Sequence, residues 1–111
     1  MTTATLERTK TTTLTAIDKA IASEDWQAAY DGIMNARIGS PSALKRLLTV
    51  ANELHARGAS EAALDILNRG FDSYQGIPQL YYQLVQVLVA LDRAEDAQMA
   101  LELLQASTIA K

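Results

Sequence analysis

The sequence predicts an all-α protein: three helix-turn-helix repeats, six helices, stacked as an α–α superhelix. Three observations carry that expectation. Ala29, Ala63 and Ala97 stand 34 residues apart, inside variants of one phrase: EDWQAAYDGI, GASEAALDIL and DRAEDAQMAL. Apolar residues recur at spacings of three and four, which keep them on one helical stripe. Only two prolines and five glycines interrupt 111 residues, 49% of them apolar, and such sparse punctuation suits helices.

The 34-residue frame divides the chain into units 10–43, 44–77 and 78–111, one domain in all, with residues 1–9 in front. That front, with threonines continuing to Thr15, forms helix poorly until Leu14, Ile17 and Ile21 establish a stripe. It reads as a flexible tail that a docking partner could draw into the first helix. The first helix of each unit then places Thr13, Leu47 and Tyr81 at one equivalent site, followed by Ala16, Val50 and Leu84. Ile17, Ala51 and Val85 come next, and Ala20, Leu54 and Leu88 close the stripe. The second helices repeat Ala29, Ile33 and Ala36, then Ala63, Leu67 and Gly70, then Ala97, Leu101 and Leu104. Small residues recur where helices must approach closely, and larger aliphatics fill the space between. Ser40-Pro41 and Ile77-Pro78 fall at the unit junctions, where proline is tolerated in a first helical turn. Gly58 ends one helix, and Ser60 is expected to cap the next.

These features resemble the tetratricopeptide repeat, whose length is 34 residues and whose second helix opens on a glycine or acidic pair, an aromatic and a small alanine. Here Glu24-Asp25-Trp26 precedes Ala29, Gly58 precedes Ala63, and Asp92 precedes Ala97. The resemblance spans the three units. A plain six-helix antiparallel bundle without superhelical stacking shares the same stripes and is the alternative architecture.

Composition narrows the chemistry. There is no cysteine, so disulfides, thiolate nucleophiles and thiolate zinc sites are excluded. His55 is the one histidine, too few for a histidine metal site or a paired relay. Glu24-Asp25 and Glu95-Asp96 are expected at the start of second helices, where carboxylates favour the helix dipole and need no catalytic role. No glycine-rich phosphate loop or GxSxG elbow is present. The expectation is therefore a non-enzyme without cofactor or metal. A net charge of −3 speaks against a general nucleic-acid grip. The most apolar stretch, residues 80–91, is 12 long and broken by Gln83 and Gln86, too short to span a bilayer. The front end has no secretory apolar run, which makes a cytoplasmic location the default expectation.

In the resembled family the first helices line a concave groove. Carried onto this chain, the groove positions are Thr11, Leu14, Asp18 and Ile21, then Lys45, Leu48, Asn52 and His55, then Gln79, Tyr82, Gln86 and Val89. Leu14 and Asp18 stand where a carboxylate clamp would need cations or amides, so a partner's free C-terminus is not the expected ligand. The third unit departs twice from the others. Residues 78–91 carry no charge and show a row of glutamines, Gln79, Gln83 and Gln86. On its second helix, Met99 and Leu103 replace the Asp31 and Asn35 of the first unit and the Asp65 and Arg69 of the second. Exposed apolar residues at such positions mark a contact surface. The functional expectation is a small adaptor or chaperone that holds an apolar peptide or helix segment of a partner protein in its groove. The alternative is a structural module that pairs with a second copy of itself through the third repeat.

Overall fold

A computed structural model describes residues 13–109. The expected tail, the start of the first unit and Thr11 lie outside them. Six helices pack consecutively: α1 (Leu14–Ala22), α2 (Trp26–Asn35), α3 (Pro41–Ala56), α4 (Ser60–Ser73), α5 (Pro78–Ala90) and α6 (Ala94–Ile109). The protein is all-helical, and each odd-numbered helix folds back on the even one that follows it.

Local chemistry sets the boundaries. Thr13 caps α1, its Oγ1 accepting from the Ala16 N–H at 3.2 Å, so the helix begins at Leu14 and runs nine residues. Asp25 caps α2 through Ala28, and Ser40 caps α3 through Ala43 with Pro41 in the first turn. Side-chain oxygens at these places satisfy amides that have no partner inside the helix. Ser60 differs from the expectation. It is the first residue of α4, Ala59 is the N-cap without a side-chain bond, and the Ser60 hydroxyl lies instead 3.0 Å from His55 Nδ1.

The turns within the three pairs are copies of one another. Glu24, Gly58 and Asp92, each 34 residues from the next, adopt φ of 56°, 87° and 60°. The following N–H donates across the turn in each case: Asp25 to the Ala20 carbonyl at 2.9 Å, Ala59 to Leu54 at 2.8 Å, Arg93 to Leu88 at 2.9 Å. A shorter bond accompanies each, from Glu24 to Ile21, Gly58 to His55 and Asp92 to Val89, all at 3.0 Å. This paired pattern is the Schellman closure, which requires a left-handed residue just past the helix. Glycine fills that place without steric cost only in the middle pair.

Helix faces then decide the packing. Ala29, Ala63 and Ala97 are buried, with Ile33, Leu67, Leu47, Leu80 and Val87 around them. Gly70 marks the closest approach: a Cβ there would stand 3.0 Å from Leu47 Cδ2 and 3.3 Å from Leu80 Cδ1. The first helices form one layer, α1 against α3 and α3 against α5, while α2 meets α4 in a second layer. Polar groups fasten the junction of α2 and α4. The Tyr30 hydroxyl donates to Asp65 at 2.9 Å, and Arg69 donates to the Ile33 and Ala36 carbonyls at 3.2 and 2.8 Å. Nearby, the Tyr74 hydroxyl accepts from the Gly39 N–H and donates to the Ser40 carbonyl. Arg57 lies 5.1 Å above the Trp26 ring and pairs with Glu53 and Glu24, tying the first two turns together.

The last pair breaks the pattern. Among the described residues, no Cα of α6 comes within 8 Å of α4, although α2 and α4 do meet. Correspondingly, the buried stripe of α6 runs through Ala97 and Ala100 to Leu104, while Leu101 is only half-buried and lies outside the core cluster.

Candidate functional site

A groove of about 580 Å³ opens between α3 and α5. On α3 it is lined by Pro41, Leu44, Lys45, Leu48, Thr49 and Asn52, and on α5 by Gln79, Tyr82, Gln83 and Gln86. Both sets follow helical spacing, beside the buried stripes of Leu47, Val50 and Leu54 on one helix and Leu80, Leu84 and Leu88 on the other.

Its chemistry is mixed. Leu44 and Leu48 are half-buried, and Tyr82 is 55% exposed, so the apolar surface is open to a ligand. Gln83 donates to the Leu48 carbonyl at 3.3 Å, Gln86 reaches the Tyr82 hydroxyl at 3.4 Å, and Thr49 donates to the Lys45 carbonyl at 2.9 Å. Asn52, Gln79 and Lys45 make no side-chain hydrogen bond or ion pair among the described residues. Two amides and one ammonium are thus left to pair with whatever enters. An amide offers both donor and acceptor, which matches a peptide backbone.

Of the residues expected in the groove, the structure brings together Lys45, Leu48, Asn52, Gln79, Tyr82 and Gln86. Leu14 and Ile21 are instead half-buried against the core. Asp18 is taken by Arg46 in a two-pronged pair, with Nε to Oδ1 at 2.7 Å and Nη2 to Oδ2 at 2.8 Å. That hydrogen-bonded guanidinium holds the Asp18 carboxyl below its ordinary range against the opposing effect of desolvation, and the carboxylate raises Arg46 in turn. His55 faces Ser60 at the turn, and Val89 is exposed in the last turn of α5 without lining the groove. Pro41, Leu44 and Thr49 lie outside the positions that the resemblance marks, and Gln83 joins the groove from the glutamine row of residues 78–91. Thr49 and Gln83 each sit four residues from an expected lining residue, Lys45 and Gln79, a spacing that signals a shared face.

The Asp18–Arg46 pair also had a signal. Arg46 occupies the place that Leu80 fills one unit later, and Leu80 is fully buried. A cation at a core-facing position calls for a carboxylate partner.

Met99 and Leu103 line a second recess of about 300 Å³, bounded by α4, α5 and α6. Among the described residues, no three of His, Cys, Asp and Glu converge as metal ligands, and no helix is long and apolar enough to cross a membrane. Comparison with protein-family models, curated proteins and solved structures finds no match.

Proposed function

We propose that this chain is a protein-interaction module of tetratricopeptide type, a small adaptor or chaperone that holds an apolar segment of a partner protein in the groove between α3 and α5. One observation carries the reading: an open apolar floor of Leu44, Leu48 and Tyr82 stands beside the amides of Asn52 and Gln79, which have no partner among the described residues. Apolar side chains of the segment would bury against the leucines and the tyrosine ring. Its backbone would meet the two amides, which a purely apolar groove could not offer to an unsatisfied peptide.

Selection from a displayed library of random peptides tests this. Peptides retained by the wild-type chain should carry two or more apolar residues, and Tyr82→Glu should lose them while its circular dichroism stays helical. Asn52→Ala should weaken the same peptides by about tenfold, the scale of one or two lost hydrogen bonds. If the selected peptides bind Tyr82→Glu and Asn52→Ala as tightly as the parent, the groove is not the binding surface.

A further inference from the structure

The cleft between α4 and α6 carries an inference of its own. Its floor is Leu84 and Leu88 of α5, and its walls hold Phe71, Met99 and Leu103, exposed by 41%, 63% and 39%. The 34-residue frame explains why it is open. Tyr30 and Asp65 join α2 to α4, but the corresponding pair between α4 and α6 is Leu64 and Met99. Arg69 reaches back to the carbonyls of α2, and its counterpart is Leu103. Where the first junction is closed by hydrogen bonds, the second presents aliphatic side chains and the helices do not meet.

Charge is equally one-sided. The helices α4, α5 and α6 carry Glu61, Asp65, Asp72, Glu95, Asp96 and Glu102 against one cation, Arg69, for a sum of −5. The whole chain sums to −3, so the remainder is +2. Arg69 is engaged with α2, and Arg93, at the end of the cleft, faces Glu61 at 3.7 Å. Asp96 lines the cleft with Arg93; beside it, Asp72 lies four residues from the lining Asn68 on one bank, and Glu95 and Glu102 lie four and three residues from Met99 on the other. An apolar trough between acidic banks is complementary to an apolar stripe bordered by cations.

The occupant's backbone is constrained as well. Mid-helix walls offer no free row of N–H and C=O groups, so an extended strand would bury main-chain groups without partners, whereas a helix satisfies its own. We infer that the α4–α6 cleft is a docking site for a basic amphipathic helix of a partner protein, distinct from the groove between α3 and α5. The helix lays apolar residues at i, i+3, i+4 and i+7 over Phe71, Met99 and Leu103. Its Lys or Arg residues face the carboxylates on both banks. A second copy fits less well. Two copies related by a twofold axis would bring acidic bank to acidic bank, and the apolar stripes of α1, α2 and α3 are already buried in their own core.

The probe is a fluorescent synthetic helix of about 18 residues, long enough to hold helical structure, with leucines at i, i+3, i+4 and i+7 and lysines elsewhere. Anisotropy should show saturable binding to the wild-type chain. Binding should fall by roughly tenfold or more for Met99→Asp with Leu103→Arg, a pair that leaves the net charge unchanged. Glu95→Lys with Glu102→Lys, both on the exposed side of α6, should weaken it similarly without risk to the core. Tyr82→Glu should bind the probe as the parent does, which separates this site from the first groove. The inference is overturned if the probe does not bind, if either double variant binds it unchanged, or if a scrambled peptide or one with glutamate for lysine binds equally. It is also overturned if light scattering shows a wild-type dimer that Met99→Asp with Leu103→Arg dissociates, since the cleft then belongs to a second copy.

Discussion

Replacing Gly58 with alanine isolates the turn that recurs in every helix pair. Gly58 has φ +87°, and a Cβ built there meets nothing within 4 Å, so the substitution adds no clash and removes no contact. What changes is the backbone. An L-residue in the left-handed region costs about 1–2 kcal/mol, and alanine returns about 0.4–1 kcal/mol by narrowing the unfolded ensemble. The net loss is about 0.5–1 kcal/mol, which for a domain of this size lowers the melting temperature by about 3–6 °C. Asp92 occupies the equivalent turn at φ +60°, so Asp92→Gly should move stability the other way. The gain is smaller, about 0.5 kcal/mol or less, because aspartate tolerates this region better than most residues. Urea titration of the three proteins, with unchanged slopes, measures both effects. A Gly58→Ala chain that melts at or above the parent would refute the argument that these turns demand a left-handed residue.

Further outcomes follow from other contacts. Ala63 is fully buried, so Ala63→Leu should overpack the core and cost about 1–3 kcal/mol, read as a lower melting temperature; an unchanged melt would count against the close approach of α4 to its neighbours. Arg69→Leu copies the third unit and strands two carbonyls of α2, for a loss of about 1–3 kcal/mol by chemical denaturation. Arg46 binds the Asp18 carboxylate and holds its pKa below the ordinary carboxylate range. The pair therefore stabilises the fold above about pH 4 and loses that contribution as pH falls through the lowered value. Thermal melts of Asp18→Asn should sit below the parent at neutral pH and converge on it in acid; a constant gap at all pH values would show that the ion pair is not responsible.

Most of the fold was legible because each helix writes its buried face into its own residues. Ala29, Ala63 and Ala97 could be aligned before any helix was placed, and Pro41 and Pro78 sit in the first turns that the frame assigns them. Ser60 stands two residues past Gly58, where a serine can cap a helix, but Ala59 takes the N-cap place and the Ser60 hydroxyl faces His55. The stripe of α6 shifted from Leu101 to Ala100 for a different reason. A second helix with neighbours on both sides buries a broad face, and among the described residues α6 packs on α5 alone. In the groove, side chains of α3 and α5 gather as their spacing implies, but Asp18 and His55 are diverted by partners 28 and five residues away.

The sequence by itself determined the all-helical class, the 34-residue register and the places where each pair must turn. Those properties repeat along the chain, and hydrophobic spacing, caps and breakers act within a few residues. Tertiary structure alone decided which polar side chains stay free in the groove and that α4 and α6 stand apart. Both depend on distances between helices remote in sequence. A substitution such as Asp65 to Met99 states only that a polar link is missing. Whether the helices then close over the gap or leave an apolar cleft is settled by how α5 holds each of them.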